Sequence, residues 1–192
     1  MFAKRFLLKN RELIAPQIDV ILWFCGARQE HVFHKLQQAL NQQHFEFVSG
    51  LPQDSRSLQE VIGEHPGRKL VVLDDLMENA SNRSDVAALF THGRHEDVSV
   101  IFLTQNLFHK GKYTRDMSLN TDYMVLFKNV RDASVITHLG AQMGNTEFLK
   151  QVFREATKNA FSHLLIDMHT HTPEALRYRS NVLDEIQFVY QP

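Results

Sequence analysis

Hydrophobic positions along this chain follow two rhythms: continuous apolar runs, and apolar residues spaced three and four apart. Residues 18–25, 70–73 and 98–104 are apolar at nearly every position, as expected of parallel strands covered on both faces. Residues 2–13, 29–43 and 83–92 carry the helical spacing. The first of these helices is predicted to stop near Pro16, and the second to bury Val32, Phe33, Leu36 and Leu40 on one face. A short strand over 45–48 should lead to the turn Gly50-Leu51-Pro52, with Ser55 or Ser57 capping a helix that runs to about residue 64. Beyond 104 the pattern predicts a polar loop or short helix over 106–118 and a strand over 122–128. Helices over about 131–142 and 146–159, a strand over 162–167 and a small β-rich end from about 177 follow. Strands alternating with helices predict an α/β fold with a mostly parallel sheet flanked by helices.

Length and charge narrow this picture. With 192 residues, 43% of them hydrophobic, the chain is expected to form a single domain, 1–192, with one substantial core. No internal repeat or low-complexity stretch interrupts it. The net charge of −1 provides no global basic field, so a DNA contact would have to be local or built by a multimer. Cys25 is the one cysteine, which excludes an internal disulfide and a cysteine-rich zinc site and suits a reducing compartment. The basic N-terminus lacks a long apolar core and is not read as a secretion signal, and no stretch is long enough to span a membrane.

The most informative residues are 70–77, an apolar run that ends in Asp74-Asp75. Ligands of open α/β sheets sit beyond the carboxyl ends of strands, so both acids should emerge at a site mouth. This is the form of a Walker B strand, in which one acid holds Mg²⁺ and the next orients the attacking water. The plainer reading is an acidic strand end before a helix. The strand 98–104 also ends in polar groups, Gln105 and Asn106, which can hydrogen-bond a phosphate or its water.

These motifs do not stand alone. Residues 90–95 lie between the two strands and 106–110 follow them, while Phe127-Lys128-Asn129-Val130-Arg131-Asp132 and the run from Thr172 to Arg177 come later. In this order and spacing they resemble the packaging-ATPase branch of the FtsK/HerA P-loop superfamily, as found in large double-stranded DNA viruses and in Polinton/Maverick and adintovirus-like elements. The resemblance covers most of the chain. It implies a three-layer P-loop NTPase-like fold and a motor that couples ATP hydrolysis, with Mg²⁺, to translocation of double-stranded DNA into capsids. It further implies a homo-oligomeric ring, possible capsid-protein partners, no membrane, and a place in the virion or in the host nucleus or cytoplasm. Under it Asp74 is the Mg²⁺ and cofactor ligand, while Asp75, Gln105 and Asn106 are catalytic. Arg115 and Arg131 are candidates for an arginine acting on a neighbouring subunit's nucleotide, although either could pair with Asp116 or Asp132. Two departures weaken the transfer: Val130 stands where the family commonly has proline, and Asp75 where it often has glutamate.

One element of the family is absent from the sequence. A phosphate-binding loop needs Gly-x-x-x-x-Gly-Lys-Ser/Thr, so that backbone N–H groups and a lysine cradle the phosphates. Gly63, Gly67 and Lys69 lie close together, but Pro66 and the lack of a Lys-Ser/Thr pair rule out that spacing. In the family the loop opens a helix with the character of residues 2–8. The chain is therefore expected to begin after the missing lysine and hydroxyl, with the first, P-loop strand missing and its own activity lost. The resemblance also predicts that the strands at 98–104 and 122–128 share one parallel sheet with the Asp74 strand, and that helix 2–13 aims its N-terminus at the same edge.

Other residues remain open to two readings. The segment 109–115 is the densest basic patch; Lys110 and Lys112 would supply DNA phosphate contacts, or the segment is a solvated turn. The pairs His31/His34, His92/His95 and His169/His171 lack a second clustered ligand set, and surface or partly buried histidines are the preferred reading over zinc. Two rivals to the motor remain: a non-catalytic binding or assembly module derived from such an ATPase, and, behind it, a metal-dependent nuclease using Asp74, Asp75 and a histidine.

Overall fold

A computed structural model describes residues 2–26, 30–40, 44–52, 57–131 and 133–192. Ser55, Asp132 and the side chains of His31, Val32 and Phe33 lie outside the described residues. The chain divides into two compact units, residues 2–120 and 121–192.

The first unit opens with helices α1 (Phe2–Leu8) and α2 (Asn10–Leu13) and strand β1 (Val20–Cys25), followed by α3 (Glu30–Ala39) and β2 (His44–Ser49). Then come α4 (Leu58–Gly63), β3 (Lys69–Asp74), α5 (Met77–Ala80), α6 (Ser84–His92), β4 (Val98–Leu103) and α7 (Thr114–Leu119). The four strands form one all-parallel sheet in the order β2-β1-β3-β4. β1 and β3 are central, which explains their unbroken apolar runs: Ile21, Leu22, Trp23, Phe24 and Val71 to Leu73 are fully buried. Alternate residues feed two cores. On one face Leu22, Phe24, Val71 and Leu73 meet Leu58 and Ile62 of α4, Ala80 of α5, Val86 and Leu89 of α6, and Met117 of α7. On the other, Ile21, Trp23, Leu70 and Val72 meet Ala3 and Leu7 of α1 and Leu36 of α3. The result is a three-layer α/β architecture consistent with a P-loop NTPase-like fold, as the sequence predicts.

Local signals set the helix ends. Ser57 caps α4 through a reciprocal capping box: its Oγ accepts from Glu60 N–H at 3.2 Å while Glu60 Oε2 accepts from Ser57 N–H at 2.6 Å. The predicted helix 2–13 is instead two, broken at Lys9, with the buried Asn10 amide donating to the Leu7 carbonyl.

The second unit contains β5 (Tyr123–Phe127), α8 (Ser134–Gln142), α9 (Thr146–Ala156), β6 (His163–Asp167), β7 (Tyr178–Ser180) and β8 (Phe188–Tyr190). Its strands form an antiparallel sheet in the order β5-β6-β7-β8. This corrects the expectation that 122–128 joins the parallel sheet: β5 pairs antiparallel with β6, Met124 opposite Ile166 and Leu126 opposite Leu164. Two helices, α8 and α9, lie between β5 and β6, so the chain enters β6 running opposite to β5. Close packing of that helix pair requires Gly140, where a Cβ would lie 2.6 Å from Thr146 Cα.

Candidate functional site

The carboxyl edge of the parallel sheet gathers the strongest chemistry of the first unit. Asp74 is the last residue of β3, opposite Cys25 of β1 and Leu103 of β4, so Thr104 and Gln105 emerge beside the acid pair. Asp74, Asp75, Leu103, Thr104 and Gln105 line one small cleft. Gln105 Nε2 donates to Asp75 Oδ1 at 3.5 Å, a long contact that leaves the carboxylate open.

The two acids differ in environment. Asp74 is half-buried and its Oδ2 accepts from Trp23 Nε1–H at 3.2 Å. Its pKa is raised: burial penalises the charge most, the Trp23 hydrogen bond opposes that, the Asp75 charge adds to the rise, and the Lys4 charge opposes it. Lys4 of α1 therefore acts electrostatically on the same edge. Asp75 is exposed and has φ +54°, the left-handed region that Asp tolerates better than most residues. Gly26 permits this turn, because a Cβ there would lie 3.0 Å from the Asp75 carbonyl oxygen. A half-buried carboxylate beside an exposed carboxylate and an amide oxygen is a hard-oxygen donor set, which fits Mg²⁺.

Other predicted residues are placed as follows. Asn106 is exposed, and its Oδ1 accepts from Phe108 N–H at 3.0 Å, so its side chain shapes the loop behind Gln105. Thr104 Oγ1 accepts from Asn106 N–H at 3.1 Å, stiffening the same turn. Lys110 and Lys112 are exposed, and Lys112 Nζ sits 5.0 Å from the centre of the Tyr113 ring. Their loop is tied to the end of α5: Lys112 N–H donates to Asn82 Oδ1 at 3.2 Å and Tyr113 N–H to the Ser81 carbonyl at 2.9 Å. Gly111 is needed there, since a Cβ would lie 2.4 Å from Ser81 Cβ. Arg115 is exposed on α7. In the second unit Arg131 is exposed, its N–H donating to Asn129 Oδ1 at 3.0 Å.

Among the described residues, the predicted histidine pairs do not converge on a common ligand set. His34, His92, His95 and His171 are exposed, and His92 Nδ1 meets Thr91 Oγ1 at 2.7 Å. His169 Nδ1 lies 2.8 Å from the buried Asp167 carboxylate, whose other oxygen accepts from Arg179 at 3.0 Å. Sequence reasoning missed Trp23 and Lys4 as neighbours of Asp74. The signal for Trp23 was its place two residues before Cys25, hence on the same face, but it becomes legible only once β1 is known to pair with β3.

A family model described as the poxvirus A32 protein matches residues 41–143, more than half of the chain. The matched stretch contains β3, β4, Asp74, Asp75, Gln105, Asn106 and the basic loop. No curated protein and no solved structure matches the chain.

Proposed function

The chain belongs to the poxvirus A32 protein family and is a viral packaging-ATPase-like domain, and we propose that it derives from a ring motor that moves double-stranded DNA into capsids at the expense of ATP. The observation that carries this reading is the convergence of Asp74, Asp75 and Gln105 in one cleft at the carboxyl edge of an all-parallel sheet.

In this reading Asp74 holds Mg²⁺ and so fixes the nucleotide, and Trp23 fixes the carboxylate that does so. Asp75 and Gln105 orient the attacking water, with Asn106 holding the turn that presents Gln105. Arg115 or Arg131 serves a neighbouring subunit's nucleotide. Lys110 and Lys112 contact DNA phosphates, and their effect is multiplied around a ring. Capsid proteins are the further partners. No helix among the described residues is long and apolar enough to cross a membrane; the motor reading itself assigns the chain to the virion or to the host nucleus or cytoplasm.

A second reading, a non-catalytic binding or assembly module, is favoured by one observation: the 192 residues contain no Gly-x-x-x-x-Gly-Lys-Ser/Thr. One experiment separates the two. A strand and phosphate-binding loop of that pattern is joined ahead of Phe2, and ATP hydrolysis is measured with and without duplex DNA. The motor reading expects Mg²⁺-dependent hydrolysis that Asp74→Ala abolishes. Hydrolysis that survives Asp74→Ala removes the assignment of Asp74, and no hydrolysis in a folded, ATP-binding fusion favours the assembly module.

A further inference from the structure

The amino-terminal side of the parallel sheet, away from the Asp74 cleft, carries a second group of chemically competent side chains. Strand β2 is an edge strand, and its first and third residues, His44 and Glu46, point to one side because strand side chains alternate. His65 reaches the same place from the turn between α4 and β3. His44 Nε2 lies 3.6 Å and His65 Nε2 3.5 Å from the same oxygen, Glu46 Oε2. One ligand atom from each of the three residues lies within 4.8 Å of the other two. The two imidazole rings are 5.4 Å apart, centre to centre.

These distances fit poorly as ion pairs. A charge-assisted N–H···O contact closes to about 2.7–2.9 Å, so both are long for that purpose. They fit a shared ion well. Tetrahedral ligands at zinc–nitrogen and zinc–oxygen bond lengths stand about 3.4 Å from one another.

The backbone beneath the group is held in place. Asp19, just ahead of β1, accepts from Arg68 N–H at 2.8 Å through its carboxylate, and its own N–H donates to the Arg68 carbonyl at 2.9 Å. The Asp19 carbonyl accepts from His44 N–H at 3.3 Å, so one residue ties down the start of β2 and the turn that bears His65. Gly67, with φ +80°, packs so closely that a Cβ would lie 2.4 Å from Asp19 Oδ2. His65 N–H donates to the Ile62 carbonyl at 3.3 Å, which fixes the other end of the turn to α4. The imidazoles are thus brought together by backbone segments that are hydrogen-bonded to Asp19 and to α4. His65 is mostly covered, at 19% side-chain exposure, while His44 and Glu46 are open at 59% and 45%.

We propose that His44, Glu46 and His65 form a binding site for a zinc-class divalent transition ion that clamps the edge strand β2 to the turn entering β3. Two neutral imidazoles and one carboxylate select a borderline ion such as Zn²⁺ or Co²⁺ over Mg²⁺, which prefers oxygen ligands throughout. The three protein ligands leave a fourth position facing solvent. The site is independent of the nucleotide chemistry assigned to the opposite edge.

The test titrates Co²⁺ into the tag-free full chain, follows the visible absorption of the bound ion, and then displaces it with Zn²⁺. The wild-type chain should bind one equivalent with the intense bands of a four-coordinate centre and release it to Zn²⁺ but not to a large excess of Mg²⁺. Glu46→Gln, isosteric and exposed, should weaken binding tenfold or more without changing the metal-free melting temperature. His65→Ala should do at least the same, and His92→Ala with His169→Ala should have no effect. Zn²⁺ should raise the melting temperature of wild type but not of Glu46→Gln. Unchanged Co²⁺ affinity in Glu46→Gln and in the His44→Ala, His65→Ala double variant, or displacement by Mg²⁺, would overturn the site.

Discussion

Trp23 Nε1 donates to Asp74 Oδ2 across 3.2 Å, from a fully buried indole on β1 to the half-buried acid that ends β3. The bond favours the ionised carboxylate against the burial that raises its pKa. Trp23→Phe keeps most of the packing and removes the donor. The expected result is a further upward move of the Asp74 titration midpoint, read from its side-chain carboxyl ¹³C shift, with weaker Mg²⁺ binding at neutral pH. A midpoint that stays in place would show that the indole serves packing alone.

Asp74 itself should cost stability near neutral pH. An acid whose pKa is raised by folding holds its proton more tightly in the folded chain. Ionisation therefore favours the unfolded chain as pH rises through the unfolded and then the folded value. Asp74→Asn, which can still accept from Trp23, is expected to raise the melting temperature at pH 7 by about 1–3 °C. The advantage should disappear toward and below the ordinary Asp value of 3.8. Thermal melts across that range check it; a variant less stable than wild type at pH 7 would contradict the sign.

Much of the first unit was legible because its strands are local statements. β1 and β3 are apolar on both faces, and only a two-sided core accommodates such runs. The capping box at Ser57 and Glu60 was half visible, as a cap signal without its exact residue. Partner choice was less accessible. Nothing in residues 122–128 says whether their neighbour is β4 or β6, and the helix pair that reverses the chain lies after them in sequence. Contacts that depend on register, Trp23 with Asp74 and His65 with Glu46, were invisible for the same reason: the residues are far apart in sequence, and the chain alone does not state which rungs align. The break at Lys9 was hidden because apolar periodicity continues across it.

The basic loop is expected to act on nucleic acid through charge alone. Lys110 and Lys112 are exposed on a loop whose N–H groups donate to the Ser81 carbonyl and the Asn82 side-chain oxygen, in a chain of net charge −1. Lys110→Glu with Lys112→Glu should abolish most duplex binding by the isolated chain. It should also lower the slope of log affinity against log salt by about 2, one for each phosphate that the two lysines neutralise. Fluorescence anisotropy over a salt series measures both, and an unchanged slope would place the DNA-binding surface elsewhere.

Acid should unfold the first unit partly through Asp85. Its carboxylate is paired with Arg83, whose Nε donates to Oδ1 at 2.9 Å, and it accepts from Leu58 N–H at 3.2 Å and Val86 N–H at 2.9 Å, joining the first turns of α4 and α6. The Arg83 hydrogen bond holds its pKa below the ordinary value, burial opposes that, and the Leu58 bond, the Arg83 charge and the Val86 bond add to the lowering. A depressed folded pKa contributes stability that is fully present above the unfolded value of 3.8 and is lost as pH falls through the folded one. Asp85→Asn keeps the shape but forfeits the charge, so it should lower stability at pH 7 by about 1–3 kcal/mol, with the gap to wild type closing below pH 3.8. Urea unfolding at pH 7 and at the acid end of the stable range reads the difference, and a gap that persists in acid would assign the effect to packing rather than charge.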